Sequence, residues 1–243
     1  MWTRPVDAAQ VEAARRGDWS VVLTGLTPVP RDWFPPDLSG VEVLCLASGG
    51  GQQGPLLAAA GARVTVLDNS PRQLDQDRSV SDEHELGIRT QEGDMADLSR
   101  FGGESFDLVF HPVSNVFAPD VLPVWRETFR VLRPGGTLLA GFMNPAIYIF
   151  DNELYEETGD VETRYSLPFS EPRDLPPERL AAKLAKGEAL EFGHTLSQQI
   201  GGQLLAGFQL VAMYESERSD KEWKGPLDEY MTAYIATRAI KPA

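Results

Sequence analysis

The run LCLASGGGQQG (44–54) holds four glycines within six residues, directly after apolar sequence. Glycine lets a backbone take positive φ and approach a ligand closely, and a helix that begins after such a turn directs its N-terminus towards that ligand. Asp68 follows the next apolar run, 19 residues after Gly49. This is close to the spacing of about 20 residues at which an acid at the end of a second strand accepts hydrogen bonds from a ribose diol. Together these residues predict a site for a nucleotide-like cofactor.

The elements that must position this site alternate between two kinds of sequence. From residue 41 to about residue 142, short apolar runs alternate with polar stretches of helical period, which is typical of βαβ units and a parallel sheet. The predicted strands are VEVLCL (41–46), RVTVLD (63–68), IRTQEG (88–93), FDLVFH (106–111) and TLLAGF (137–142), followed by QLVAMY (209–214) and YMTAYIATRA (230–239). The glycine turn and Asp68 are therefore expected at the carboxyl ends of the first two strands.

A dinucleotide site is the main alternative. Gly49, Gly51 and Gly54 spell the string GxGxxG. Ala47 and Ser48 stand between the strand and the first glycine, where a dinucleotide turn usually begins at once. A nicotinamide-dependent oxidoreductase also needs a hydride-site acid or a YxxxK-like pair, and the sequence offers neither.

Five motifs in order carry a resemblance to a known family. They are VLCLASGGG (43–51), VTVLDNSPRQL (64–74), EGDMADL (92–98), FDLVFH (106–111) and VLRPGGTLLAGF (131–142). Over about residues 40–142 the chain resembles the class I S-adenosylmethionine-dependent methyltransferases. The resemblance implies a doubly wound, Rossmann-like α/β fold with seven strands in the order 3-2-1-4-5-7-6 and helices on both faces. It also implies S-adenosylmethionine as cofactor and methyl transfer to a small-molecule acceptor by in-line displacement.

The glycine turn is the first site that the resemblance assigns. It would wrap the methionine part of the cofactor with Ala47, Ser48, Gly49, Gly50 and Gly51. The turn departs from the family at two positions, because Cys45 stands where an acid is frequent and Ala47 replaces the first glycine. A slightly altered turn is expected, without the carboxylate that orients the methionine amine. A binding protein that keeps the fold without turnover is a further alternative.

Residues that follow the later strands would hold the nucleoside and the reacting groups. By the same resemblance, Asp68 would bind the ribose and Asn69 would lie beside the adenine. Asp94 would accept a hydrogen bond from the exocyclic amine of the adenine, and Met95 would contact its ring. His111 would lie below the methyl group at the mouth of the acceptor pocket, where it is the candidate catalytic residue, a general base.

Residues 1–40 are predicted to form an N-terminal helix (Val6 to Arg16) and a Pro-rich aromatic lid, TPVPRDWFPPDLSG (27–40). Trp33 and Phe34 either close over the ligand or pack on the sheet. The methyltransferase-like domain would occupy residues 41–243.

Within that domain, residues 143–194 interrupt the pattern with acidic, aromatic sequence, and an insertion covering the acceptor side is expected. Its aromatic residues favour an apolar or aromatic small molecule as acceptor. His194 either contacts the next helix or serves the acceptor side. That helix is predicted to begin with a capping box at Thr195 and Gln198 and to end near Gly207.

Composition limits the classes of partner. The chain of 243 residues has 22 Lys and Arg against 36 Asp and Glu, a net charge of −14, and six of the fourteen excess acids lie between Asp151 and Glu191. Nucleic acid and anionic membranes are therefore not expected as partners. The single Cys45 excludes an internal disulfide, and no Cys/His cluster predicts a metal. The N-terminal sequence lacks the apolar stretch of a signal peptide, so a cytoplasmic protein is expected.

Overall fold

The computed structural model describes residues 4–25, 27–217 and 230–243, so the first three residues of the predicted N-terminal segment lie outside it. The strands are β1 (Val22–Thr24), β2 (Thr27–Pro28), β3 (Glu42–Leu46), β4 (Arg63–Asp68), β5 (Arg89–Glu92), β6 (Phe106–His111), β7 (Leu132–Met143), β8 (Phe169–Ser170), β9 (Phe192–Gly193), β10 (Gln209–Ser216) and β11 (Tyr234–Ile240). The α-helices are α1 (Ala8–Arg15), α2 (Gln53–Ala59), α3 (Pro71–Glu83), α4 (Leu122–Val131), α5 (Asn152–Thr158), α6 (Glu171–Asp174), α7 (Pro177–Ala185) and α8 (Leu196–Ala206).

A seven-stranded sheet organises these elements in the order β10-β11-β7-β6-β3-β4-β5. The strands from β7 to β5 are parallel, and β11 pairs antiparallel with both β7 and β10. Numbered along the chain, these seven strands have the order 3-2-1-4-5-7-6. The predicted doubly wound α/β topology is therefore confirmed.

Strand β3 is buried on both of its faces, as expected for the centre of a parallel sheet. Val43 and Cys45 pack in the core that includes residues of α1, α2 and α3. Leu44 and Leu46 pack in the opposite core, beneath α4 and α8. This alternation of apolar side chains holds helices on both faces and fixes the direction in which β3 delivers the chain to the glycine turn.

The N-terminal segment packs on the sheet. Helix α1 begins after a capping box between Asp7 and Gln10, slightly later than predicted. The buried ring of Trp33 lies 5.2 Å from the ring of Tyr214, between their centroids. Phe34 is also buried and stacks on Phe110 of β6 at 6.4 Å. Of the two roles left open for Trp33 and Phe34, packing on the sheet is the one that the structure contains.

The acidic stretch after β7 contains short helices and the two-stranded β8–β9 sheet. Its centre is the buried carboxylate of Asp151, which accepts the Leu154 N–H at the start of α5 and pairs with Arg164 at 2.7 Å and Arg179 at 2.9 Å. Helix α8 follows with the predicted capping box and ends at Gly207, whose φ is +110°.

Candidate active site

The carboxyl ends of β3, β4, β5 and β6 meet at one edge of the sheet, and the order of the strands along the chain reverses between β3 and β6. Ligands of open α/β sheets bind at such a switch point. A cleft opens there. Its lining residues are Ala47, Leu67, Asp68, Asn69, Gly93, Asp94, Met95, Phe117, Ala118 and Pro119.

Five of the ten residues predicted to bind a cofactor lie in this lining: Ala47, Asp68, Asn69, Asp94 and Met95. The other five, Ser48, Gly49, Gly50, Gly51 and His111, lie outside it.

Asp68 ends β4 with its carboxylate at the cleft and only 7% of its surface exposed. Burial raises the pKa of Asp68, and N–H donors from Ser70 and Asn69 oppose that rise. The Ser70 N–H lies 2.8 Å from Asp68 Oδ1. The Asp68 carbonyl accepts the Gly93 N–H at 3.0 Å, which joins the end of β4 to the turn after β5. These backbone contacts thus fix the Asp68 carboxylate, which is a hydrogen-bond acceptor, at the cleft.

The turn after β5 adds one polar and one apolar group. Asp94 is exposed, and its Oδ1 accepts the Ala96 N–H at 2.8 Å. Met95 is buried and packs in the same core as Leu67. A carboxylate beside an apolar wall suits a flat base that carries an amine.

The loop after β6 forms a wall of the cleft that was not predicted from the sequence. Phe117, Ala118 and Pro119 line it, and Phe117 is 38% exposed. Its position after the strand FDLVFH (106–111), on the same edge as Asp68, is the signal that would have found it.

His194 fixes this wall from the side of α8. Its buried Nε2 lies 3.0 Å from the Ala118 carbonyl oxygen and 3.3 Å from that of Asn115. Burial lowers the pKa of His194, and the two carbonyls oppose that shift. The side-chain amides of Asn115 and Gln199 also exchange two hydrogen bonds of 3.1 Å. These hydrogen-bond partners of His194 lie in the loop after β6, so the two roles left open for it, a contact with the next helix or a place on the acceptor side, both stay predictions.

The glycine turn keeps the left-handed conformations that its glycines permit. Gly49 has φ +77° and Gly51 has φ +74°. Ala47, in place of a glycine, also takes positive φ, at +44°. The left-handed conformation costs a non-glycine residue roughly 1–2 kcal/mol, so Ala47 in this turn lowers the stability of the fold.

Helix α3 hydrogen-bonds to the peptide groups of this turn. The Gly50 N–H donates to Gln73 Oε1 at 2.8 Å, and the Gly51 N–H donates to Asp77 Oδ1 at 2.8 Å. Gln73 and Asp77 are four residues apart, so they share one face of α3. Asp77 is 1% exposed, and burial raises its pKa to about 7, against the effect of the Gly51 N–H.

The segment before α1 covers the other side of the turn. The Val6 N–H donates to the Gly51 carbonyl at 2.8 Å, and Gln52 Nε2 donates to the Arg4 carbonyl at 3.0 Å. A Cβ at Gly51 would lie 2.9 Å from Pro5 Cβ. Gly51 is therefore held between the N-terminal segment and α3.

His111 lies at the end of β6, completely buried. Its Nδ1 is 3.2 Å from the Leu46 carbonyl oxygen and 3.3 Å from Ser114 Oγ. Burial lowers the pKa of His111 to about 4, with the Leu46 contact opposing the shift. Its buried Nε2 has no hydrogen-bond partner among the described residues. The general-base role of His111 stays a prediction.

Similarity to known proteins shows the family to which this chain belongs. Residues 44–140 match the family model described as "Methyltransferase domain". The chain is 49% identical over 240 residues to the Bacillus subtilis (strain 168) protein named "Uncharacterized methyltransferase YbaJ", covering 99% of this chain and 91% of that one. This chain belongs to the class I S-adenosylmethionine-dependent methyltransferases. The methyltransferase is also 32% identical over 124 residues to a ubiquinone biosynthesis O-methyltransferase of Xanthomonas campestris pv. campestris, covering 50% of this chain and 52% of the relative.

A solved structure shares the fold of this methyltransferase. It is the S-adenosylmethionine-dependent methyltransferase from Mesorhizobium loti, with a TM-score of 0.63 and 19% identity, covering 86% of this chain and 94% of that one. Membership of the family, and not the shared fold, makes S-adenosylmethionine the cofactor. The cleft suits the nucleoside of that molecule, because it combines the Asp68 carboxylate with the apolar wall of Leu67 and Met95.

Within residues 4–25, 27–217 and 230–243, no group of three or more His, Cys, Asp and Glu side chains is placed to hold a metal ion. None of the helices in those ranges is long and apolar enough to cross a membrane.

Proposed function

We propose that this methyltransferase transfers the methyl group of S-adenosylmethionine to a small neutral or cationic acceptor. The observation that carries the proposal is the convergence of Asp68, Asn69, Asp94 and Met95 on one cleft at the switch point of the sheet. The acidic sequence between Asp151 and Glu191 supports the acceptor class, since it disfavours polyanions on the side where the insertion is expected.

Residues of this chain would hold the cofactor in place. Asp68 would accept hydrogen bonds from the ribose hydroxyls, and Asn69 would lie beside the adenine. Asp94 would accept from the adenine amine, and Met95 would contact the ring. When bound, S-adenosylmethionine supplies a methyl group already activated on a sulfonium. The protein then needs only to align the acceptor, exclude water and remove a proton when the acceptor carries one.

The contacts of the glycine turn argue against the nicotinamide alternative. A pyrophosphate is bound by backbone N–H groups of such a turn. Here the N–H groups of Gly50 and Gly51 already donate to Gln73 and Asp77. A carboxylate next to these amides would also repel a phosphate. Titration with NADH, followed by its fluorescence, is expected to give no binding.

Turnover is tested by mixing the protein and S-adenosylmethionine with panels of phenols, amines, thiols and carboxylic acids, and measuring S-adenosylhomocysteine by mass spectrometry. Phenols belong in the panel because one relative is named as an O-methyltransferase. Product above background is expected with a small acceptor and not with RNA or DNA. Cofactor binding without turnover on any panel favours the non-catalytic alternative, and turnover on nucleic acid contradicts the proposal.

A further inference from the structure

Asp77 is a buried acid of α3 that contacts the glycine turn. Its Oδ1 accepts the Gly51 N–H at 2.8 Å. A Cβ on Gly54 of α2 would lie 3.7 Å from the same oxygen and 3.1 Å from Val66 Cγ2, so the glycine lets α2 pack closely there. The carboxylate also helps to raise the pKa of the Cys45 thiol, second to the effect of burial. Asp77 therefore lies beneath the glycine turn, next to the strand residue that replaces the expected acid.

We propose that Asp77 is a positioning residue of the cofactor site, whose carboxylate holds the glycine turn through Gly51 and supplies the negative charge missing at Cys45. The inference rests on the proposed function, in which this turn wraps the methionine end of the cofactor. Gln73 holds the neighbouring Gly50 N–H, but as a neutral amide it adds no charge. The carboxylate that is absent at position 45 therefore has a substitute on α3.

A charge at this place makes cofactor binding sensitive to pH. The charged and titratable groups facing Asp77 are Asp68 at the end of β4, Arg78 on α3 and Cys45 on β3. Asp68 raises the pKa of Asp77 and Arg78 lowers it, while burial is the dominant cause of its rise to about 7. An ionised carboxylate accepts the Gly51 N–H more strongly than a neutral acid does, and the ammonium group that the cofactor shares with S-adenosylhomocysteine favours the ionised form. Binding is therefore expected to release a proton from Asp77.

The test is calorimetry of S-adenosylhomocysteine binding between pH 6 and pH 8, in buffers of different ionisation enthalpy. The wild-type affinity is expected to fall by about fivefold from pH 8 to pH 6. At pH 7, wild type should release about half a proton more than Asp77→Asn, which keeps an acceptor for Gly51 but has no charge. Asp82→Asn, a change of an exposed acid on the same helix, is the matched control and should behave as wild type.

A third variant separates the hydrogen bond from the charge. Asp77→Ala has no hydrogen-bond acceptor for the Gly51 N–H and should bind S-adenosylhomocysteine less tightly than wild type at every pH. Asp77→Asn should bind it with the affinity that wild type shows at pH 6. If Asp77→Asn does not fold, the Gly51 amide signal of the wild type serves instead. Its nuclear magnetic resonance shift should titrate near pH 7, the pKa value of Asp77.

Equal proton release and equal pH dependence in wild type and Asp77→Asn would overturn the inference, as would a Gly51 amide that does not titrate near pH 7. Failure of the proposed transfer has a different signature: cofactor binding and proton release persist, and no acceptor is methylated. Absence of any binding by the wild type overturns both proposals.

Discussion

Nε2 of His194 lies 3.0 Å from the carbonyl oxygen of Ala118, so the residue before the capping box of α8 fixes a wall of the cleft. This contact joins the loop after β6 to the segment before α8, and the buried Asn115–Gln199 amide pair joins the same loop to α8 itself. The shape of the cleft therefore depends on residues distant in the chain from the glycine turn.

Replacing His194 by Ala should loosen this wall. The change removes the donor from two buried carbonyls, which is expected to lower the free energy of unfolding by about 1–3 kcal/mol. The Kd for S-adenosylhomocysteine should rise severalfold, because Ala118 lines the cleft. Calorimetry and urea denaturation measure both effects, and His84→Ala, at the far end of α3, is the control. An unchanged Kd in His194→Ala would contradict the role of this contact.

Acid should destabilise the protein through His111. Its pKa is about 4 in the folded state, because burial disfavours the imidazolium. The unfolded chain, with a pKa of about 6.5, binds a proton that the folded chain does not, so the free energy of unfolding falls as the pH drops from about 6.5 towards 4. In urea denaturation at a series of pH values, His111→Gln should lose less stability over that range. Parallel losses in wild type and variant would show that the charge of His111 is not responsible.

If His111 is the general base, as predicted, its replacement should also lower kcat. Nδ1 is engaged by Leu46 and Ser114, which leaves Nε2 as the nitrogen for proton removal. General-base catalysis contributes about 10²–10⁴-fold, so His111→Gln should lose at least a hundredfold in kcat, a much larger effect than the change in its Kd for S-adenosylhomocysteine. This comparison requires an acceptor that carries a proton. Unchanged kcat would rule out the base role.

Phe117 supplies exposed apolar surface to the cleft, and its truncation should weaken binding without unfolding the protein. Phe117→Ala is expected to raise the Kd for S-adenosylhomocysteine by about tenfold, from lost contact with the ligand. The melting temperature should change little, since the ring is 38% exposed. Leu205→Ala, at an exposed site on α8, is the control for removal of a surface apolar group. Equal Kd values in the two variants would show that Phe117 does not contribute to binding of S-adenosylhomocysteine.

The sheet could be predicted from the sequence because each strand is a short apolar run whose period differs from that of the helices. β4 and β6 have the predicted bounds, and α8 begins and ends at its predicted capping residues. The cleft residues Asp68 and Asp94 were accessible for a related reason: they follow strands that end at a common edge.

Other parts of the site left no periodic signal. Phe117 lies in a loop whose path is set by distant contacts with His194. Asp77 is polar within a helix that carries many charges, so its pattern is typical of a solvated face, although the folded chain buries it under the glycine turn. The burial of a single polar residue depends on tertiary packing, which spacing along the chain does not encode.

We propose that the Asp68 cleft binds the nucleoside of S-adenosylmethionine. This binding is tested by the Kd for S-adenosylhomocysteine in wild type, Asp68→Ala and the surface control Asp82→Ala, with folding checked by circular dichroism. Loss of the acceptor for the ribose hydroxyls should cost about 2–3 kcal/mol, a rise in Kd of roughly 30- to 150-fold in Asp68→Ala, with no change in the control. A folded Asp68→Ala protein that binds as tightly as wild type would contradict the assignment of this cleft.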